Sequence, residues 1–212
     1  MQIFRSALFS LLVLSSGCAT ADQWKGPTQL GLEADLTRSN KQPPLCSKAV
    51  VSNPQREQIA RLLATVNRPG LKDILDESPT YYAVLIDSPP ELKRLLALGY
   101  DTSTRDGSLL HAAAYWNSVA SAGYLLDHGT NINVADRGGG TPLMTAVGQG
   151  GPDVARLLLA RGARVDTKTL DYALICKDQV IVDLLVKSGV LIDQKARQIA
   201  RKTHMQLPKS GR

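Results

Sequence analysis

The sequence predicts an all-α solenoid of about four stacked helix-pair repeats, with capping helices at both ends. Four alanine–glycine pairs share an internal spacing of 16 residues, and an apolar pair ends three residues before each glycine. The glycines follow one another at 30, 33 and 27 residues, a period typical of helical repeats. Aromatic residues make up only 5% of the chain, which disfavours a large all-β sandwich. The pairs are Ala83 and Gly99, Ala113 and Gly129, Ala146 and Gly162, and Ala173 and Gly189.

The first 18 residues have the pattern of an export signal. Arg5 is their only charged residue, and an apolar run over residues 7–14 precedes small residues and Cys18. Since a membrane-spanning helix needs roughly 20 apolar residues, this run is too short to remain as an anchor. Gly17-Cys18 resembles the lipobox of bacterial lipoproteins, which implies a lipid on Cys18 and an outer-membrane protein facing the periplasm. Cleavage after Ala21 is the alternative and would release a soluble periplasmic protein.

Two segments lie between this signal and the first repeat. Residues 19–53 contain few apolar residues and a Pro-Pro pair, which predicts a tether. Residues 54–77 are predicted to form N-terminal capping helices, because a helix that starts at Asn53-Pro54 has an apolar face and apolar residues continue over 71–75. The apolar face consists of Ile59, Leu62, Leu63 and Val66.

Residues 78–193 contain the motifs of one repeat family. Thr141-Pro142-Leu143 resembles the Thr-Pro-Leu-His turn that opens an ankyrin repeat, and SLLHAAA at 108–114 keeps the histidine as His111. Asp136 and Gly139 match the β-turn of that family. The resemblance implies an ankyrin solenoid. The link after the first glycine is nine residues long and the link after the third is six, whereas the link after the second is twelve. We therefore expect the hairpin loops (fingers) that connect successive repeats to be shortened in the first and third links.

The resemblance also implies where a partner would bind. In ankyrin repeats, two variable residues that follow the alanines of each inner helix project into a concave groove and commonly contact partners. Tyr and Trp in such a row are typical of binding hot spots. The alternative is that the capping segments or the tether fold over the groove and bury it. The residues assigned to the groove are Leu85, Ile86, Tyr115, Trp116, Gln149 and Ile175.

The cysteines and histidines offer few sites for chemistry. Cys46 and Cys176 would face an oxidising compartment and could form a disulfide; the alternative is that Cys46 is a tether thiol and Cys176 a small helix residue. No histidine forms a close pair with another histidine or a cysteine, so we predict no metal site. The histidines are His111, His128 and His204.

The C-terminal segment 194–212 has all of the excess charge. It contains six basic residues and no acidic residue. Since the net charge of the whole chain is +6, the formal charges of residues 1–193 sum to zero. This is a local basic patch, and we predict no nucleic-acid partner. Ile192, Ala196, Ile199 and Ala200 have helical spacing, which predicts a C-terminal cap over the last repeat. The basic residues of the predicted helix are Lys195, Arg197, Arg201 and Lys202.

The sequence favours binding over catalysis. No Ser/His/Asp set, carboxylate pair or Cys/His couple falls on one pocket, so we predict no enzyme activity and no cofactor. The glycine-rich stretch 138–151 lacks the GK[ST] ending of a phosphate loop. We therefore expect an envelope-anchored ankyrin protein that is monomeric apart from a protein partner held in its groove. The alternatives are a periplasmic immunity protein that neutralises a toxin and a membrane-surface organiser that uses the basic tail.

Overall fold

The computed structural model describes Cys46 and residues 52–64, 78–104, 107–149 and 151–207. Every described residue belongs to one compact unit, Pro44–Arg212. The predicted signal and most of the predicted tether lie outside the described residues. Within those residues there are ten α-helices and two short strands: α1 (Asn53–Ala64), α2 (Pro79–Leu85), α3 (Pro89–Ala97), β1 (Ser103–Thr104), β2 (Gly107–Ser108), α4 (Leu109–Trp116), α5 (Val119–Asp127), α6 (Pro142–Gly148), α7 (Pro152–Ala160), α8 (Thr167–Ile175), α9 (Gln179–Lys187) and α10 (Gln194–Thr203).

The helices stack as four consecutive pairs. The inner helices α2, α4, α6 and α8 pack against one another in order, and the outer helices α3, α5, α7 and α9 do the same. Helix α1 packs on α2 at one end, and α10 packs on α8 at the other. The all-α repeat solenoid predicted from the sequence is confirmed.

The repeated residues determine where the helices begin, approach each other and end. Proline occupies the first turn of α2, α3, α6 and α7. Its missing N–H costs no hydrogen bond there, because N–H groups in the first turn have no partner within the helix. The four spaced alanines are fully buried, and their small side chains let the paired helices pack closely. Each outer helix ends two residues before a glycine with φ between 83° and 88°, a conformation that other L residues rarely adopt: Gly99, Gly129, Gly162 and Gly189.

The links between repeats differ in structure. The nine-residue link contains the antiparallel strands β1 and β2, in which Ser103 lies opposite Ser108. The twelve-residue link has a turn in which Asp136 accepts hydrogen bonds from the backbone N–H groups of Gly138 (2.8 Å) and Gly140 (2.7 Å). Such an Asx-type turn matches the β-turn expected from the motif.

The turn from inner to outer helix connects neighbouring repeats. Asp87 and Asn117 adopt positive φ (55° and 54°), and their side chains reach the next outer helix. The Asp87 carboxylate accepts hydrogen bonds from the N–H groups of Ala120 and Ser121 at the start of α5. Asn117 Oδ1 accepts one from the N–H of Val154 at the start of α7. These side chains satisfy backbone donors that have no partner within their own helix.

The N-terminal cap α1 begins at Asn53, and it buries Ile59 and Leu63. Two arginines attach it to the first repeat by binding carbonyl groups at helix C-termini. Arg56 Nη1 donates to the Leu85 carbonyl at 3.2 Å, and Arg94 Nη2 donates to the Leu63 carbonyl at 2.7 Å. The second part of the predicted cap, 71–75, lies outside the described residues.

The C-terminal cap α10 buries Ala196 and Ala200, as the helical spacing predicts. Lys195 Nζ donates to Asp171 Oδ2 of α8 at 2.5 Å. In the part of the chain that the structure describes, no helix is both long enough and apolar enough to cross a membrane.

Candidate protein-binding surface

The ends of the inner helices carry the residues that the sequence assigned to the groove, and three of these remain accessible. Ile175, the last residue of α8, is 45% exposed. Ile86 and Tyr115 are half-buried. These apolar side chains leave part of their surface available to a partner.

The assignment of the other three residues to a partner-contacting row is wrong. Leu85 is 0% exposed, because it faces the core at the end of α2. Trp116 is 6% exposed, and its indole N–H donates to the Tyr81 hydroxyl at 2.9 Å. Gln149 is 8% exposed. Buried side chains of this kind stabilise the array and cannot supply contact area to a partner.

Trp116 is thus part of an aromatic cluster that connects the first two repeats. Its ring contacts that of Tyr115 edge-to-face, with centroids 4.9 Å apart. Tyr81, which accepts the indole hydrogen bond, has its own ring edge-to-face with Tyr82. Because Trp116 is buried within this cluster, Tyr115 is the aromatic residue of the predicted row that keeps accessible surface.

Cys46 reaches the same face of the array at the third and fourth repeats. It forms a disulfide with Cys176, with the two Cα atoms 5.0 Å apart, so the structure contains the pairing that the sequence left open. The Cys46 N–H also donates to the Gly148 carbonyl at 2.7 Å. We call this disulfide and backbone hydrogen bond the Cys46 contact. Gly148 and Gln149 beside it are buried, and Cys46 is the described residue of the predicted tether that contacts the groove.

Buried polar side chains at one helical position link successive repeats. His111 Nδ1 lies 3.1 Å from Ser108 Oγ, and its Nε2 lies 3.1 Å from the Gly140 carbonyl oxygen. Both ring nitrogens are therefore occupied by structural hydrogen bonds, which leaves this histidine poorly placed to act as a base. The equivalent residue of the last repeat is Asp171, which binds Lys195 instead.

The basic residues of α10 lie on the surface. Lys195, Arg197, Arg201 and Lys202 are all exposed. The hydrogen bond and negative charge of Asp171 raise the pKa of Lys195 above its usual value. Arg197, Arg201 and Lys202 form the remaining cationic face of this helix.

The described residues contain no group of three or more His, Cys, Asp or Glu side chains that could hold a metal ion. The two cross-repeat caps were not predicted from the sequence, although an Asp or Asn at the turn position was a usable signal. The hydrogen bond of Cys46 to Gly148 was not predicted either, because the sequence has no local signal for it.

Comparison with known proteins supports the repeat assignment. The family model described as ankyrin repeats, in three copies, matches residues 80–169. Residues 80–169 contain ankyrin repeats. Repeats of this family generally mediate protein–protein interaction and are typically non-enzymatic scaffolds.

A curated relative is the human (Homo sapiens) protein "Transient receptor potential cation channel subfamily A member 1". It is 36% identical over 69 residues, which are 31% of this chain. The chain spans 6% of the length of that relative. The similarity is therefore confined to a small part of a much longer protein.

Proposed function

We propose that this protein is an envelope-anchored, non-enzymatic binding protein that holds a protein partner at the ends of its inner helices. The observation that carries the proposal is the accessible apolar surface of Ile86, Tyr115 and Ile175 at the C-terminal ends of three inner helices. Accessible large apolar side chains in such positions are typical of a protein-binding surface. The membrane link would be the lipid proposed on Cys18.

The partner-binding part of this proposal is tested by crosslinking in cells and mass spectrometry of the captured proteins. Ile175→Glu introduces a charge into the row and should abolish capture of a partner that wild-type protein captures. Leu191→Glu is the matched control, because Leu191 is 78% exposed but lies in the link between α9 and α10, away from the ends of the inner helices in sequence. Equal capture by both variants, with helicity unchanged in circular dichroism, would reject this surface as the binding site.

The same experiment bears on the immunity role predicted from the sequence. A captured toxin, together with toxin sensitivity of a deletion strain, would support that role. The anchoring is tested separately by Cys18→Ala, which should move the protein from the membrane fraction to the soluble periplasmic fraction and prevent palmitate labelling. Unchanged fractionation would reject the lipid anchor.

A second candidate function rests on the exposed cations of α10. We propose that this helix face can lie on anionic headgroups, which attract each Lys or Arg near the surface by about 1 kcal/mol. Replacement of Arg197, Arg201 and Lys202 by Gln should weaken flotation with vesicles that contain phosphatidylglycerol and reduce its salt dependence. Replacement of Arg156, Arg161 and Arg164 by Gln is a control of equal charge on other helices and links. Equal loss in both variants would reject a specific role for α10.

A further inference from the structure

The disulfide determines where the chain that follows Cys18 joins the repeat array. Residues 19–45 connect Cys18 to Cys46, and Cys46 is bonded to Cys176 at the end of the fourth inner helix. Helix α1, which begins at Asn53, packs instead on α2 at the other end of the array. A lipid on Cys18 would therefore hold the array by its fourth repeat when the bond is present, and by its first repeat when the bond is absent.

The fourth-repeat end is also the end at which the basic helix α10 finishes. Gln179, three residues after Cys176, donates from Nε2 to the Gln206 carbonyl at 2.9 Å and accepts from the Gln206 N–H at 3.3 Å. Gln206 follows Lys202 by four residues, and α10 packs on α8. The disulfide and the C-terminal turn of α10 therefore lie at the same end of the array.

The two ends of the array differ in charge. Helix α10 contains four basic residues and no acidic residue, a formal charge of +4, and its Lys195 is paired with Asp171. Helix α1 contains two arginines and one glutamate, which sum to +1. Anionic headgroups should therefore attract the α10 end more strongly. The other three cations of α10 are all exposed: Arg197, Arg201 and Lys202.

The distance between the two ends makes the point of attachment important. Packed helices lie about 8–10 Å apart, so the three steps from α2 to α8 separate the ends by roughly 24–30 Å. The potential of charged headgroups is screened over about 8 Å at physiological ionic strength. An array held by its first repeat can therefore turn α10 about three screening lengths further from the lipid, where little attraction remains. An array held by its fourth repeat keeps α10 at the attached end.

We infer that the Cys46–Cys176 disulfide orients the array at the membrane, with the fourth repeat and α10 towards anionic lipid and the first repeat away from it. This inference rests on the proposed function, because it requires attachment through Cys18 and the lipid contact of α10. The bond acts by joining the membrane-attached part of the chain to the end of the array that carries the cations.

The test attaches the full chain to vesicles through Cys18 by a chemical route. The chain has three cysteines, so when Cys46 and Cys176 are bonded, the Cys18 thiol is the one that reacts with a maleimide-headgroup lipid. The vesicles contain phosphatidylcholine, phosphatidylglycerol and a lipid with a photoreactive diazirine on its headgroup. After illumination, mass spectrometry compares the label on peptides of α10 with the label on peptides of α2 and α3.

Oxidised wild type should carry an excess of label on α10. The variant Cys46→Ser/Cys176→Ser, which also couples through Cys18, should lose that excess. Replacement of Arg197, Arg201 and Lys202 by Gln, with the disulfide intact, should also abolish it. An equal excess in the wild type and the double-serine variant overturns the inference. An excess that survives the triple replacement overturns it as well, because the orientation would then not depend on attraction to lipid.

A second attachment point keeps the test decisive if the double-serine variant loses helicity in circular dichroism. Cys18→Ser/Gln58→Cys retains the disulfide and couples through an exposed position of α1, at the first-repeat end. Its label should move from α10 to α2 and α3, and an unchanged pattern overturns the inference. Chemical coupling does not require lipidation of Cys18 in cells, so failure of the anchor in the fractionation experiment and failure of this inference are separate results.

Discussion

The outer helices of the second and third repeats are capped differently from the helices at the C-terminal end. Asp87 caps α5 and Asn117 caps α7, so each of these helices depends on the preceding repeat. The last three helices take their caps from their own preceding residue, which accepts a hydrogen bond from an N–H in the first turn. These residues are Asp166 for α8, Asp178 for α9 and Asp193 for α10.

The sequence explains why the change occurs after the third repeat. Position 150, which is equivalent to Asp87 and Asn117, is a glycine and has no side chain to offer to α9. Helix α9 begins instead with Asp178, an N-cap residue of its own. A cap shared between repeats adds to the nearest-neighbour term of a repeat array, whereas a local cap adds to the stability of one repeat. The N-terminal half should therefore be more strongly coupled from repeat to repeat.

The largest expected effect comes from the crosslink that joins both halves. Cys176→Ser removes a 130-residue closed loop and should lower the free energy of unfolding by up to about 5 kcal/mol, because the unfolded chain gains entropy. Urea unfolding of oxidised wild type, reduced wild type and Cys176→Ser measures this. The two samples without the bond should agree with each other. A urea midpoint equal to that of the oxidised protein would show that the bond does not stabilise the array.

The cross-repeat cap gives the next effect. Asp87→Ala leaves two N–H groups of α5 without their acceptor and should lower the free energy of unfolding by about 1–2 kcal/mol. Its control is Asp127→Ala, which removes an ion pair with Arg161 that is about half exposed on both sides. We expect Asp127→Ala to lower the free energy of unfolding by less than about 1 kcal/mol. If hydrogen exchange in Asp87→Ala rises only within α2 and not in α5, the cap does not couple the repeats.

The local cap should have a smaller and more confined effect. Asp178→Ala removes the acceptor for the Ile181 N–H and should cost about 1 kcal/mol. Hydrogen exchange should accelerate at the start of α9 and remain unchanged in α5 and α7. Asp178→Asn keeps an acceptor and should behave like the wild type. Faster exchange throughout the array would remove the distinction between local and shared caps.

The smallest effect is expected at the C-terminal cap, and it depends on pH. Asp171 raises the pKa of Lys195, with small contributions from Asp193 and Tyr172, so protonated Lys195 stabilises the folded state. This contribution is complete below the ordinary lysine value of 10.5 and is lost as the pH rises through the raised folded-state pKa. The melting temperatures of wild type and Lys195→Met should therefore differ at pH 8 and converge at pH values above the folded-state pKa of Lys195. Arg197→Met, the control, should show no such convergence.

Much of the fold could be predicted from the sequence because the same types of residue recur at fixed positions in successive repeats. Buried alanines, glycines with positive φ and prolines in first turns follow from residue type and spacing. The basic face of α10 followed from helical spacing in the same way. Burial at the groove could not be predicted so well, because family position alone made Leu85, Trp116 and Gln149 look equivalent to Ile175.

The sequence by itself determined the repeat register, the helix boundaries to within a few residues and the exposed cations of the last helix. Only the tertiary structure decided that Trp116 bonds Tyr81 across 35 residues, that Cys46 meets Cys176 across 130, and that Asp87 caps the next repeat's helix. The physical reason is the distance along the sequence over which the interactions act. Helix formation depends on neighbours a few residues apart, whereas burial and cross-repeat bonds depend on which surfaces the stacked helices bring together.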